Sequence, residues 1–173
     1  MCWFLASTVQ ETVLQETGKQ KGQSNRYYID ASGQIVGRLS SKVAKLLLKG
    51  NSVVIVNSEK ALISGHRSSV MGDFFERLTI ASVVHPKHGP FHPRTPARIL
   101  TRMIRGMIPR RKPSGISALR RLRVYSGVPE DMKKISFTNF EEAKATKPLA
   151  YYIPLAEVAA KIGWKGQDSI TAK

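Results

Sequence analysis

Hydrophobic positions along this 173-residue chain change period within its first third. Tyr27, Tyr28 and Ile29 form a short β-type run, and Asp30-Ala31-Ser32-Gly33 closes it with turn-forming residues. Val36, Leu39, Val43, Leu46 and Leu47 then recur at steps of three and four, which predicts an amphipathic helix. Gly50 stands where a C-terminal cap belongs. Val53 to Val56 is apolar without alternation, as expected of a central strand in a parallel sheet. Strand, helix and strand in about thirty residues make a βαβ unit and predict an α/β fold.

The pattern beyond this unit is looser. Ala61-Leu62-Ile63 is a candidate short strand, closed by Ser64-Gly65. Val70, Phe74, Phe75 and Leu78 give residues 68–78 a helical face that Gly72 weakens. His85 to Pro93 gathers prolines, histidines and Gly89 into a loop. Thr95 stands as the N-cap of a helix with Pro96 at its first position and Gly106 as its stop. A second basic helix is expected from Ser114 to about Arg121, leading into Val124-Tyr125. Residues 130–148 show no strong period, and a last helix is expected over 154–162, stopped by Gly163. Residues 17–25 read as a flexible joint. The expected organisation is an N-terminal extension (1–26), an α/β core (27–129) and a C-terminal extension with a terminal helix (130–173).

Charge sharpens this picture. The chain holds 28 Lys and Arg against 12 Asp and Glu, a net +16. Twelve of the cations fall between Arg77 and Pro129 with no acid among them: Arg77, Lys87, Arg94, Arg98, Arg102, Arg105, Arg110, Arg111, Lys112, Arg120, Arg121 and Arg123. Guanidinium forks match pairs of phosphate oxygens and do not deprotonate. A crowded positive field opposes the compact state, so a polyanion is the expected partner. Arg38, Lys42, Lys45 and Lys49 form a second stripe, opposite the leucines of the first helix, while Arg98, Arg102 and Arg105 share one face of the helix beginning at Pro96. Only Phe91 and Tyr125 are aromatic within the basic window, which favours reading the shape and backbone of folded RNA over stacking successive bases. No helix-turn-helix, basic-zipper or zinc-finger pattern points to regulated DNA.

Other chemistries find less support. Cys2 is the only cysteine, which excludes an internal disulfide and fits a reducing compartment. The apolar opening from Met1 to Val9 lacks a basic leader, and apolar runs such as Val53 to Val56 are strand-sized, so a soluble intracellular protein is expected. His85, His88 and His92 have a spacing that can hold zinc on a helix, and the alternative reading is a metal-dependent nucleic-acid enzyme built on that loop. Pro86, Pro90 and Pro93 make the segment irregular, and no Cys, Asp or Glu lies nearby to complete a site. Asp30, Glu59, Asp73 and Glu76 are scattered, and no phosphate-loop or hydrolase motif occurs. No catalytic residue, metal, cofactor or small-molecule substrate is expected. Peripheral membrane binding would need an apolar face left free beside the charges, whereas these faces are needed for a core.

Several segments resemble one family, the universal large-subunit ribosomal protein L-thirteen. Ile29-Asp30-Ala31 with Gly33, then Gly37-Arg38-Leu39-Ser40-Ser41 and Val43-Ala44-Lys45, are similar to its opening strand and helix. Val56-Asn57-Ser58-Glu59-Lys60-Ala61 with Ile63-Ser64-Gly65, Arg105-Gly106-Met107-Ile108-Pro109, and Leu122-Arg123-Val124-Tyr125-Ser126-Gly127 with Pro129 resemble the next three blocks, in family order. Gly89-Pro90-Phe91-His92-Pro93-Arg94 and the closing Ile162-Gly163-Trp164 resemble the archaeal and eukaryotic branch, and the lack of a long basic tail leans archaeal. The resemblance implies a three-layer α/β/α fold around a short, largely parallel sheet. It implies a non-catalytic cytoplasmic protein that binds large-subunit ribosomal RNA and touches neighbouring ribosomal proteins. The expected RNA-binding set is Arg38, Lys42, Lys45, Lys49, Lys60, Lys87, Arg94, Arg98, Arg102, Arg105, Arg110, Arg111, Lys112, Arg120, Arg121 and Arg123.

Overall fold

The β-type runs at 26–30 and 52–56 lie side by side as parallel strands, joined by the helix whose period the sequence displays. The computed structural model describes residues 25–85 and 87–166, so residues 1–24 of the expected N-terminal extension, with nearly all of the joint, and residues 167–173 of the expected C-terminal extension lie outside the described residues. Strand β1 (Arg26–Asp30), helix α1 (Val36–Leu48) and strand β2 (Ser52–Val56) form the βαβ unit. Strand β4 (Leu122–Val124) pairs parallel with the other side of β2, giving the order β1-β2-β4. Ile29 stands opposite Ile55, and Ile55 opposite Val124. Central β2 is buried from Val53 to Val56, as its unalternating run requires. The architecture is of the three-layer α/β class.

One hydrophobic core unites Ile29, Val53, Ile55 and Leu122 of the sheet with Leu39, Val43 and Leu47 of α1. Ile99, Leu100 and Ile104 of α3 (Pro96–Gly106) join it, as does Ala118 of α4 (Pro113–Arg120). Each large side chain buried this completely contributes about 1.5–3 kcal/mol. Gly50, at φ +97°, ends α1 with its N–H donating to the Leu47 carbonyl at 3.1 Å. A left-handed backbone there suits glycine alone at little cost.

The stretch expected as a C-terminal extension packs on this same core. Strand β5 (Tyr152–Pro154) runs antiparallel to β3 (Leu62–Ser64), with Ile153 opposite Ile63. Helix α5 (Leu155–Lys161) then buries Leu155, Val158 and Ala159, and Gly163 follows it in a left-handed conformation. Ahead of these, Thr138 hydrogen-bonds the open edge of β1 through the Tyr28 carbonyl and the Asp30 N–H, and the Phe137 ring meets Tyr28 edge-on at 6.5 Å. The Ala143 carbonyl accepts from Ile35 N–H at 2.7 Å.

Three sequence expectations need revision. Helix α2 (Arg67–Thr79) forms, but none of its residues is buried: Phe74 and Leu78 are half covered and Phe75 is exposed. Thr95 occupies the N-cap position of α3, yet its side chain makes no capping bond, and Pro96 at the first helical position starts the helix. Gly106 is not a left-handed cap. It is the last helical residue, and the helix tightens beyond it through Met107 N–H to Ile104 and Ile108 N–H to Arg105 before Pro109, which has no N–H to continue.

Asp30 fixes the end of β1. Its Oδ1 accepts from Ser32 N–H (3.0 Å), Ser32 Oγ (2.8 Å) and Asn57 Nδ2 (2.9 Å), the last on a residue held at φ +54°. Burial alone would raise the Asp30 carboxyl, but the bonds from Asn57 and Ser32, with the Lys60 charge, hold it below its ordinary value. Because the folded value is lowered, this contribution is complete above about pH 4 and disappears as pH falls through the lowered value. Asp30→Ala should cost about 1.5–3 kcal/mol, the range for hydrogen bonds to a charged group. Urea unfolding at pH 7 and pH 3 should show the difference between wild type and variant shrinking at the acid end.

Candidate nucleic-acid interface

Helix α3 faces two ways because its sequence alternates obligations. Pro96, Ile99, Leu100 and Ile104 are buried, while Arg98 and Arg102 stand exposed and Arg105 is half exposed. Among the described residues, none of the twelve cations between Arg77 and Pro129 pairs with a carboxylate; the ion pairs Lys42–Glu142, Arg67–Glu157, Lys133–Glu130 and Lys144–Glu141 all lie outside that window. Guanidinium groups whose charge no carboxylate neutralises are ready for an external anion.

The turn from α3 to α4 extends this surface. Arg110, Arg111 and Lys112 are all exposed on it, and Pro113 opens α4. Its shape depends on Gly115, where a Cβ would run into the Pro109 carbonyl and sit 3.2 Å from Arg110 N. Only glycine lets the α4 backbone approach that closely. Lys87 and Arg94 are exposed in the loop before α3, with the Arg94 guanidinium close to Gly163. Arg120 and Arg123 are exposed at the junction of α4 and β4, with Arg123 Nη1 donating to the Arg120 and Leu122 carbonyls. Lys60 is exposed beside Asp30.

Two members of the expected set serve the fold. Arg121 is only partly exposed, and its Nε and Nη2 donate to the carbonyls of Asn51 (3.3 Å) and Leu47 (2.8 Å), closing the C-terminus of α1. Lys42 is bound to Glu142, whose carboxyl is held below its usual range by the hydrogen bond and charge of Lys42. Arg38 reaches the same segment, donating to the Glu142 carbonyl at 3.4 Å. Lys45 and Lys49 remain exposed on that stripe. Both internal partners lie far along the chain, so spacing within one helix could not reveal them.

The histidines do not converge. His85 and His88 rings lie 6.0 Å apart at right angles, while a His92 ring nitrogen is bonded to the Ile80 carbonyl at 3.0 Å. Among the described residues, no three His, Cys, Asp or Glu side chains gather to hold a metal, and no helix is long and apolar enough to cross a membrane. A hollow of about 490 Å³ lies between α2, the loop before α3, α3 and α5, but Phe74, Leu78, Ile80, Met103 and Ile162 make it largely apolar.

The family model described as Ribosomal protein L13 matches residues 24–131, a span that contains all four sequence blocks and every cation of the acid-free window. The chain belongs to the ribosomal protein L13 family. A "Large ribosomal subunit protein uL13" of Aeropyrum pernix is 45% identical over 148 residues, covering 84% of this chain and 94% of that protein. The protein of the same description from Archaeoglobus fulgidus is 44% identical over 140 residues, covering 80% and 88%. One from Spodoptera frugiperda is 37% identical over 153 residues, covering 86% and 75%. Members of the L13 family are structural proteins and not enzymes.

Two substitutions separate fold from surface. Gly115→Ala should destabilise by about 1–3 kcal/mol through overpacking and displace the Arg110–Lys112 turn, so thermal melting and RNA affinity should fall together. Arg121→Ala should lower stability by about 1–2 kcal/mol through loss of its carbonyl contacts, while the salt dependence of RNA binding at temperatures where it remains folded stays that of wild type.

Proposed function

We propose that this L13 family member is a structural constituent of the large ribosomal subunit, binding its ribosomal RNA and supporting assembly and translation in the cytoplasm. The observation that carries the reading is the acid-free, unpaired set of cations on α3 and its flanking loops, in a chain whose relatives are described as large ribosomal subunit proteins. The contact surface in this reading is Arg98, Arg102 and Arg105, the Arg110–Lys112 turn, Lys87 and Arg94, with Lys45, Lys49, Arg38, Lys60, Arg120 and Arg123 around it. Such a surface binds phosphates through charge, and its rigid spacing selects folded RNA by shape. The exposed apolar side of α2 and the following loop, where Val83 is 97% and Val84 79% exposed, suits neighbouring ribosomal proteins.

Binding to a large-subunit RNA fragment should fall steeply with salt. If about eight cations meet phosphate, log K should fall with log salt at a slope of roughly −6 to −7; a slope shallower than about −2 would overturn the reading. Replacing Arg98, Arg102 and Arg105 together with Gln should reduce the slope magnitude by about 2 to 3 while melting stays close to wild type, since the buried face of α3 is untouched. In lysate fractionated on a sucrose gradient, the wild-type chain should sediment with large subunits and the triple variant should shift toward the top.

A further inference from the structure

Phe91 is 76% exposed, although it lies in a loop tied firmly to its surroundings. Its carbonyl accepts from Arg102 Nη1 at 2.6 Å, and the next residue, His92, is bonded to the Ile80 carbonyl. Pro90 and Pro93 flank the ring and restrict the backbone. The loop is thus anchored to α3 and to the end of α2, yet it holds a benzyl ring in water. With Pro93, Arg98, Thr101, Arg102 and Arg105, Phe91 lines a shallow cup of about 230 Å³.

We propose that this cup receives one unpaired base of the bound RNA, stacked on Phe91, with its flanking phosphates on the α3 arginines; the inference rests on the RNA-binding reading above. The cup is smaller than the ~300–1,000 Å³ pockets that take drug-sized ligands, which suits a single planar ring system. A base within a continuous A-form helix keeps both faces against its neighbours, and the major groove is too narrow for a side chain to enter. An extruded nucleotide offers a free π-face to Phe91 and turns its phosphates outward. An apolar protein patch could also cover the ring, but it would leave Arg98, Arg102 and Arg105 around it without anions. The surface therefore does more than count phosphates: at one point it distinguishes a bulge or loop from an uninterrupted duplex.

The test uses the full chain and two RNA duplexes of the same sequence, one carrying a single bulged 2-aminopurine and one fully paired with 2-aminopurine in the stack. Wild type should bind the bulged duplex more tightly and quench its fluorescence on binding. Phe91→Ala should lose about 5- to 150-fold in affinity for the bulged duplex, the range expected of one base–aromatic stack, with little change for the paired one and an unchanged salt slope. Phe91→Trp should retain both preference and quenching. Equal wild-type affinities for the two duplexes would overturn the proposal, as would an Ala variant that weakens both equally or neither. A shallow salt slope on both duplexes would instead sink the phosphate-binding reading itself. Loss of ribosomal-protein contacts by the Ala variant with RNA preference intact would assign the ring to a protein and also overturn the proposal.

Discussion

The buried face of α3 is what allows an acid-free stretch of chain to stay folded. Arg98, Arg102 and Arg105 repel one another, and no carboxylate among the described residues neutralises them. Against this stand Ile99, Leu100 and Ile104, each almost wholly removed from water against α1 and the sheet. Repulsion between exposed charges amounts to tenths of a kcal/mol per pair, whereas each buried side chain contributes about 1.5–3 kcal/mol. Packing wins by a wide margin. The cations can therefore be committed to an outside partner, and the fold does not depend on that partner to exist.

The same comparison explains which cations are not available. Arg121 closes α1, and Lys42 holds Glu142, so the charge stripe of α1 is partly turned to fastening the segment around residue 142. Charge belonging to the fold is marked by a carboxylate partner, as at Lys42, or by a partly covered guanidinium holding carbonyls at a helix end, as at Arg121. Arg38, Arg102 and Arg123, by contrast, each touch a carbonyl and still stand exposed. Fold charge and surface charge are not distinguished by helix, residue type or position in a stripe.

How much of this was legible in the sequence follows from the range of each interaction. The βαβ unit could be read because its signals are local: the steps of Val36, Leu39 and Val43, the unbroken run Val53 to Val56, and Gly50 after them. The start of α3 at Pro96 and the approximate reach of α4 and α5 were legible for the same reason. Strands β3 and β5 are three residues each, too short to show a period, and their pairing joins Leu62 to Pro154. Nothing near either one announces the other. Gly106 misled because a glycine after a basic helix suggests a cap, whereas Pro109 and the tightened last turn end this one. At the interface, the basic window and the α3 stripe were visible, but the internal duties of Arg121 and Lys42 and the exposure of Phe91 depend on residues brought close only by folding.

The pairing of β3 with β5 also bears on how the chain is made. Leu62 leaves the synthesising machinery some ninety residues before Pro154, yet Ile63 has no strand partner until Ile153 arrives. At a synthesis rate of about 5–20 residues per second, β3 waits on the order of 5–20 s with one edge open and Ala61 short of its bond from Leu155. The parallel sheet can assemble once β4 has emerged, but the second, smaller sheet closes only after residue 154 has been added. Nascent chains halted before residue 150 should therefore carry a formed βαβ core beside an unsealed edge, which is the state most exposed to mispairing with another copy.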